Sequence, residues 1–253
     1  MFFTVCQVTK ALTGSILRNL TGCEEIDGFI DIQDSKMKSS VNGYTRDDLN
    51  ALKSVRMISE YVQIATQTVS PRNLSFLENL EFIEGRSLVT SRFALAINKN
   101  DNLEQLGLRN LKKIKAGSVI ITENHGLCYA QTIKWNKIIA PTAQAVINKN
   151  MDSKCEQRNR VCDPTCDPAQ GCWGRGPTMC AKCRYWKLRD ACVKDCPKEG
   201  CTGPGDHLGA GGCTECLCTG PGDHLGAGGC TECLYAQLSE EHEVKLAHMK
   251  SRI

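Results

Sequence analysis

Cysteine placement constrains this chain more than any other feature. Seventeen cysteines occur in 253 residues, yet only Cys6, Cys23 and Cys128 precede residue 150. The other fourteen lie between Cys155 and Cys233. The boundary separates two ways of staying folded. The first part carries enough Leu, Ile and Val to bury a core. The second is rich in Gly, Pro, charge and cysteine; burial alone cannot offset its chain entropy, so it needs disulfide or metal cross-links. Disulfides persist in an oxidising compartment. Two sequons, Asn19-Leu20-Thr21 and Asn73-Leu74-Ser75, agree with such a compartment and mark candidate glycosylation sites.

The first part reads as a repeat. LRNLTGCEEIDGFIDI (17–32), LNALKSVRMISEYVQI (49–64), FLENLEFIEGRSLV (76–89) and LRNLKKIKAGSVII (108–121) share one pattern. Each has an apolar pair three residues apart, a polar stretch, an isoleucine and then a short β-rich run. Ile26, Ile58, Ile83 and Ile114 are spaced by 32, 25 and 31 residues. A period in this range is the mark of a solenoid, whose coils bury their inward Leu and Ile only by stacking. The runs 29–32, 61–64 and 119–121 are the expected strands. Asn98, Asn100, Asn102, Asn124, Asn148 and Asn150 follow strand positions; asparagine tolerates left-handed turns and caps corners, which suits a coiled solenoid. The alternative is an ordinary α/β domain with leucine-rich helices.

From Cys155 to Cys196 the spacing is C-x6-C-x3-C-x5-C-x7-C-x2-C-x8-C-x3-C. Spacings this short favour small two-bridge modules stacked as a rod. The stretch CDPTCDPAQGCWGRGPTMCAKCRYWKLRDACVKDCP (162–197) resembles the furin-like cysteine-rich modules of growth factor receptors. LCYAQTIKW (127–135), FLENLEFIEGRSL and GLRNLKKI resemble the second L domain of the epidermal growth factor receptor family. The order, an L domain followed directly by a GCWG-bearing module, also matches. The resemblance covers about residues 12–200.

What the resemblance implies is a mainly β protein: a right-handed β-helix (residues 1–155), then a disulfide-rich rod (156–234); residues 235–253 do not resemble the family and read as a charged, helical, solvated tail. It implies the bridges Cys128–Cys155, Cys162–Cys172, Cys166–Cys180 and Cys183–Cys192. A bridge Cys6–Cys23 is implied too, although these residues lie closer together than the family's opening pair. Trp173 would dock into the last coil and fix the domain junction, or serve simply as module core. Phe93 and Ile120 match positions that contact ligand on one sheet face; the alternative is that both are core. Ala65 and Ala145 stand where the family has polar or basic contacts. The implied partners are an epidermal growth factor-like ligand and, in the full-length receptor, a second receptor chain. The implied location is the cell surface or the extracellular space.

Residues 201–217 and 218–234 are identical copies of CTGPGDHLGAGGCTECL. A phosphate loop would need a Lys and a Ser or Thr at fixed offsets, which are missing. Cys213-x2-Cys216 and Cys230-x2-Cys233, with His207 and His224 nearby, have four-thiolate zinc spacing. That spacing also follows automatically from duplicating one CxxC unit. The unit repeats the layout of CWGRGPTMCAKC at 172–183, so a further disulfide module is the leading expectation, with no cofactor. Zinc, in an intracellular interaction protein, is the alternative.

Other function classes find little support. The net charge of +3 gives no argument for nucleic acid or an anionic membrane. No apolar run of 18 residues exists, and the N-terminus MFFTVCQVTKALTG makes a poor signal peptide. A partial chain, or a truncated gene product without function, is therefore expected. No kinase glycine loop with its lysine, HRD or DFG occurs, so no enzyme activity is expected of this chain, although the family it resembles consists of receptor tyrosine kinases.

Overall fold

The computed structural model describes residues 4–37, 43–67, 71–151, 154–195 and 218–219. Residues 4–151 form stacked coils. The first has β1 (Val5–Val8) and helix α1 (Gly14–Asn19), capped by Thr13, whose hydroxyl accepts from Ile16 N. Next come β2 (Glu25–Gly28) and β3 (Ile30–Gln33), then β4 (Met57–Ile58) and β5 (Val62–Ala65). β6 (Phe82–Ile83) and β7 (Phe93–Asn98), β8 (Lys113–Ile114) and β9 (Ser118–Thr122), and a final β10 (Ala145–Asn148) follow. Each of the four central coils gives one strand to each of two parallel sheets. The orders are β1-β2-β4-β6-β8 and β3-β5-β7-β9-β10.

The repeat spacing has a direct structural meaning. Ile26, Ile58, Ile83 and Ile114 are cross-strand partners in one register row, each 0% exposed. The apolar pairs ahead of them form a second buried row: Leu17 and Leu20, Leu49 and Leu52, Leu77 and Leu80, Leu108 and Leu111. In each pair the second residue sits one tight turn after the first. For example, Leu20 N donates to Leu17 O, and Leu80 N to Leu77 O. The expected strands 29–32, 61–64 and 119–121 lie within a residue of β3, β5 and β9. The sheet carrying the isoleucines, and β7, were not foreseen as strands.

Of the two roles expected of the asparagines, corner capping is the one that Asn100, Asn124 and Asn150 take. The left-handed residues are Lys99 (φ 54°), Glu123 (φ 58°) and Lys149 (φ 53°), each one position before an asparagine. Asn100 and Asn124 instead turn inward, both 0% exposed, and stack with Asn150. Asn124 Oδ1 accepts from Asn100 N (3.0 Å) and Nδ2 (2.9 Å), and Asn124 Nδ2 donates to Asn150 Oδ1 (3.0 Å). Each amide also caps a carbonyl one residue before the end of the previous coil's strand: Ile64 O, Ile97 O and Ile121 O in turn. Buried main-chain groups must be paired, and where the chain leaves the sheet a planar amide with donors and acceptors does this.

Between Cys155 and Asp195 the chain has little regular structure. Among the described residues five disulfides are present: Cys6–Cys23, Cys128–Cys155, Cys162–Cys172, Cys166–Cys180 and Cys183–Cys192. The bridged Cys128, Cys155, Cys166 and Cys172, with Tyr129, make a small second core beside the solenoid's. Beyond it β11 (Trp186–Leu188) and β12 (Ala191–Val193) form a hairpin, and β13 (Cys218–Thr219) pairs antiparallel with β11. The rest of the duplicated units, with Cys213, Cys216, Cys230 and Cys233, and the 235–253 tail lie outside the described residues.

Candidate ligand face and domain junction

Strand alternation sorts the second sheet into two faces. In β9, Val119 and Ile121 are buried, while Ser118, Ile120 and Thr122 point outward and are half-buried. Register places Asp31, Gln63, Ala96, Ile120 and Val146 in one outward row across five strands. Ile120 is therefore an outward residue between Ala96 and Val146, and not part of the core. Phe93 begins β7 and is also half-buried. A register shift between Phe93 and Leu95 marks a bulge there, and bulges re-aim side chains. Phe93 carries the Arg92 guanidinium over its ring, 5.2 Å from the centroid. At the other end of the sheet Phe29 and Tyr61 stack, with centroids 4.9 Å apart and planes 9° apart. Burial raises the Tyr61 phenol above its ordinary range.

The outward face thus offers separated apolar side chains with polar neighbours on a stiff parallel sheet. Such a surface can seat a folded partner's apolar anchors. Phe29, Tyr61 and Val146 belong to it and went unremarked as site residues in the sequence, although alternation along each strand is the signal that assigns them. Ala65 lies outward on β5. Ala145 does not: it pairs with buried Val119 and packs on the core, because the pleat turns it inward.

Charges gather on the first sheet. Glu81 accepts from Arg56 (2.5 Å) and from Lys112 across three coils. Glu84 pairs with Lys115 of the next coil (2.7 Å) and with Arg86, two residues on in its own coil (2.7 Å). Hydrogen bonds, from Lys112 to Glu81 and from Lys115 to Glu84, hold both carboxyls below their ordinary range. These ladders tie adjacent coils.

The junction centres on Trp173 of the GCWG turn. It is 3% exposed and belongs to the solenoid core, edge-on to Trp135 at 5.5 Å and 89°. Its carbonyl accepts from Gly107 N, and Trp135 Nε1 donates to Ala130 O. Gly171 lets the turn approach: at φ +78°, a Cβ there would fall 2.1 Å from Thr132 O. Thr132 Oγ1 accepts from Cys172 N (3.0 Å), and Gln105 Oε1 from Arg175 N (2.9 Å). Arg160 adds an ion pair to Glu104 (3.2 Å) and a bond to Gly126 O. Of the sequon asparagines, Asn19 is exposed at the end of α1, and Asn73 is half-buried with its Oδ1 accepting from Ser75 N. Among the described residues no cluster of His, Cys, Asp and Glu is arranged to hold a metal. None of their helices is long and apolar enough to cross a membrane.

Parallel coils with a bridged, tryptophan-docked module at their end define a class, and sequence comparison agrees with it. Residues 22–139 match the receptor L domain family. The chain is 33% identical over 207 residues to the epidermal growth factor receptor of Apis mellifera, covering 76% of this chain and 16% of that protein. It is 36% identical over 150 residues to the epidermal growth factor receptor of Gallus gallus, covering 58% and 21%. It is also 30% identical over 194 residues to the receptor tyrosine-protein kinase erbB-2 of Mesocricetus auratus, covering 74% and 15%. The chain belongs to the epidermal growth factor receptor family and corresponds to a segment of its ectodomain. It spans between 15% and 21% of the length of these relatives.

Proposed function

We propose that this chain is the growth-factor-binding part of a cell-surface receptor. It would comprise the second L domain, wound as a right-handed β-helix, and the start of the following cysteine-rich rod. Parallel crossovers are right-handed in nearly all sheets, which favours that winding. The observation that carries the reading is the outward face of the second sheet, where Ile120 and Phe93 stand half-exposed. An epidermal growth factor-like ligand would anchor on them, with Val146, Phe29 and Tyr61 extending the contact. Asn19 and Asn73 would carry glycans. In the full-length receptor, ligand binding would drive pairing with a second receptor chain and thus kinase signalling. A secreted form would instead compete for ligand.

The test is surface plasmon resonance of the chain, made in a secretory host, against a panel of epidermal growth factor-like ligands. Ile120→Asp and Phe93→Asp should each weaken binding at least tenfold while leaving the circular dichroism unchanged. Unaltered binding in both variants, or no binding by the parent chain to any of the panel, overturns the reading.

A further inference from the structure

Two hollows meet along the seam between the solenoid and the first cysteine module. One, of about 370 Å³, is bordered by Arg109, Lys112, Lys134 and Lys137 over a floor that includes Ile133 and Trp173. The other, of about 280 Å³, adds Lys182 and Lys187. Arg109, Asn110 and Ala181 line both, so the hollows form one continuous trough. Six cations border it, in a chain whose net charge is only +3.

The acids do not cancel this charge. Among the lining residues only Asp190 is acidic, and it lies 3.4 Å from Arg109. Glu78 approaches Arg109 at 3.7 Å from the neighbouring coil, and Glu81 is bound to Lys112. Lys134, Lys137, Lys182 and Lys187 have no carboxylate partner among the described residues. Lys137 donates only to Gln170 Oε1 (2.9 Å). All four are exposed. The fold brings them together: Lys134 stands at the N-cap and Lys137 in the last turn of helix α2 (Trp135–Ile138) of the last coil, whereas Lys182 and Lys187 come from the rod.

We propose that this trough binds a sulfated glycan chain. Unpaired cations spread along a groove match a linear polymer bearing a sulfate on each successive unit. Ammonium groups on long stems suit such point-charge contacts. The concave shape disfavours a flat bilayer, which would reach only the rims. An ectodomain meets sulfated polysaccharide outside the cell, so the inference rests on that location and not on growth factor binding by the second sheet.

The experiment is isothermal titration of the full chain with a heparin-derived octasaccharide at physiological salt. A matched desulfated octasaccharide and phosphatidylserine vesicles are run alongside. Each cation removed should weaken binding roughly fivefold, as for basic residues at an anionic surface. The double variant Lys134→Gln, Lys137→Gln should then bind about 25-fold more weakly. The double variant Lys53→Gln, Lys99→Gln removes the same charge from exposed sites elsewhere on the solenoid and should change binding less than twofold. Equal loss in both double variants overturns the trough as the site. So does absence of octasaccharide binding, equal binding of the desulfated chain, or binding to vesicles alone.

Discussion

Replacing Asn124 by leucine tests the reading of the asparagine stack most sharply. The side chains are similar in size, and the site is fully buried, so little volume changes. What changes is pairing. Asn100 N loses its acceptor, Asn124 Oδ1 at 3.0 Å, and Ile97 O loses a donor, Asn124 Nδ2 at 3.0 Å. The carbonyl of Thr122 keeps Lys99 N, and Asn100 Nδ2 keeps Ile64 O, so neither is orphaned. Two main-chain groups are left without these partners in the interior. Each such loss costs about 1–3 kcal/mol, for a total of about 2–6 kcal/mol. That is a large share of the ~5–15 kcal/mol that holds a domain together. With a urea dependence of about 2 kcal/mol per molar, the midpoint should fall by about 1–3 M. The assay is urea unfolding without reductant, followed by far-ultraviolet circular dichroism so that the sheets are reported directly. Asn148→Ala, at an exposed position bonded only to Thr122 Oγ1, is the matched control and should shift the midpoint little. If Asn124→Leu shifts it no more than the control does, the stack does not hold the coils together and the argument fails.

Three further outcomes follow. Trp173→Ala should destabilise by about 3–5 kcal/mol and quench the distinct near-ultraviolet signal of the paired indoles, while Gly171→Ala should open the same junction to protease by forcing a Cβ into Thr132 O. Acid should weaken the coils through Glu81 and Glu84. Their folded-state affinity for protons is depressed, so their stabilisation is complete above the unfolded value near 4.5 and is lost as pH falls through the lower folded value. Urea midpoints measured between pH 6 and pH 3 should therefore drop toward acid, and drop less in Glu81→Gln, Glu84→Gln. Alkylation of the unreduced chain with intact-mass and zinc analysis should give one to three free thiols and no metal, since 17 cysteines cannot all pair within one chain; about one zinc with many free thiols would assign Cys213, Cys216, Cys230 and Cys233 to a metal site.

The solenoid was legible because its signal is periodic. Ile26, Ile58, Ile83 and Ile114 recur at the coil length, and a coil cannot bury them without its neighbours, so sequence spacing becomes spatial register. The cysteine boundary near residue 155 was legible from composition. The bridges themselves came from resemblance, since spacing alone leaves many pairings open. The asparagines were legible as corner residues, but not which of two corner roles each takes, since asparagine serves both left-handed turns and buried amide caps. Which one applies depends on the direction of the residue before it. Lys99, Glu123 and Lys149 take the strained turn and thereby aim Asn100, Asn124 and Asn150 inward.

What the sequence by itself determined was therefore the repeat, the two modes of cross-linking and the membership of Ile120 in a strand. Only the tertiary structure decided which way that strand's side chains face. A shift of one residue in the pleat would bury Ile120 and expose Val119, and the register with β7 and β10 resolves the choice. Tertiary structure alone likewise turned Ala145 inward, docked Trp173 on Trp135, and gathered Lys134, Lys137, Lys182 and Lys187 along one seam. Those four residues lie in two chain segments separated by more than forty positions. Local propensity carries no information across that gap. The packing of the rod against the last coil supplies it.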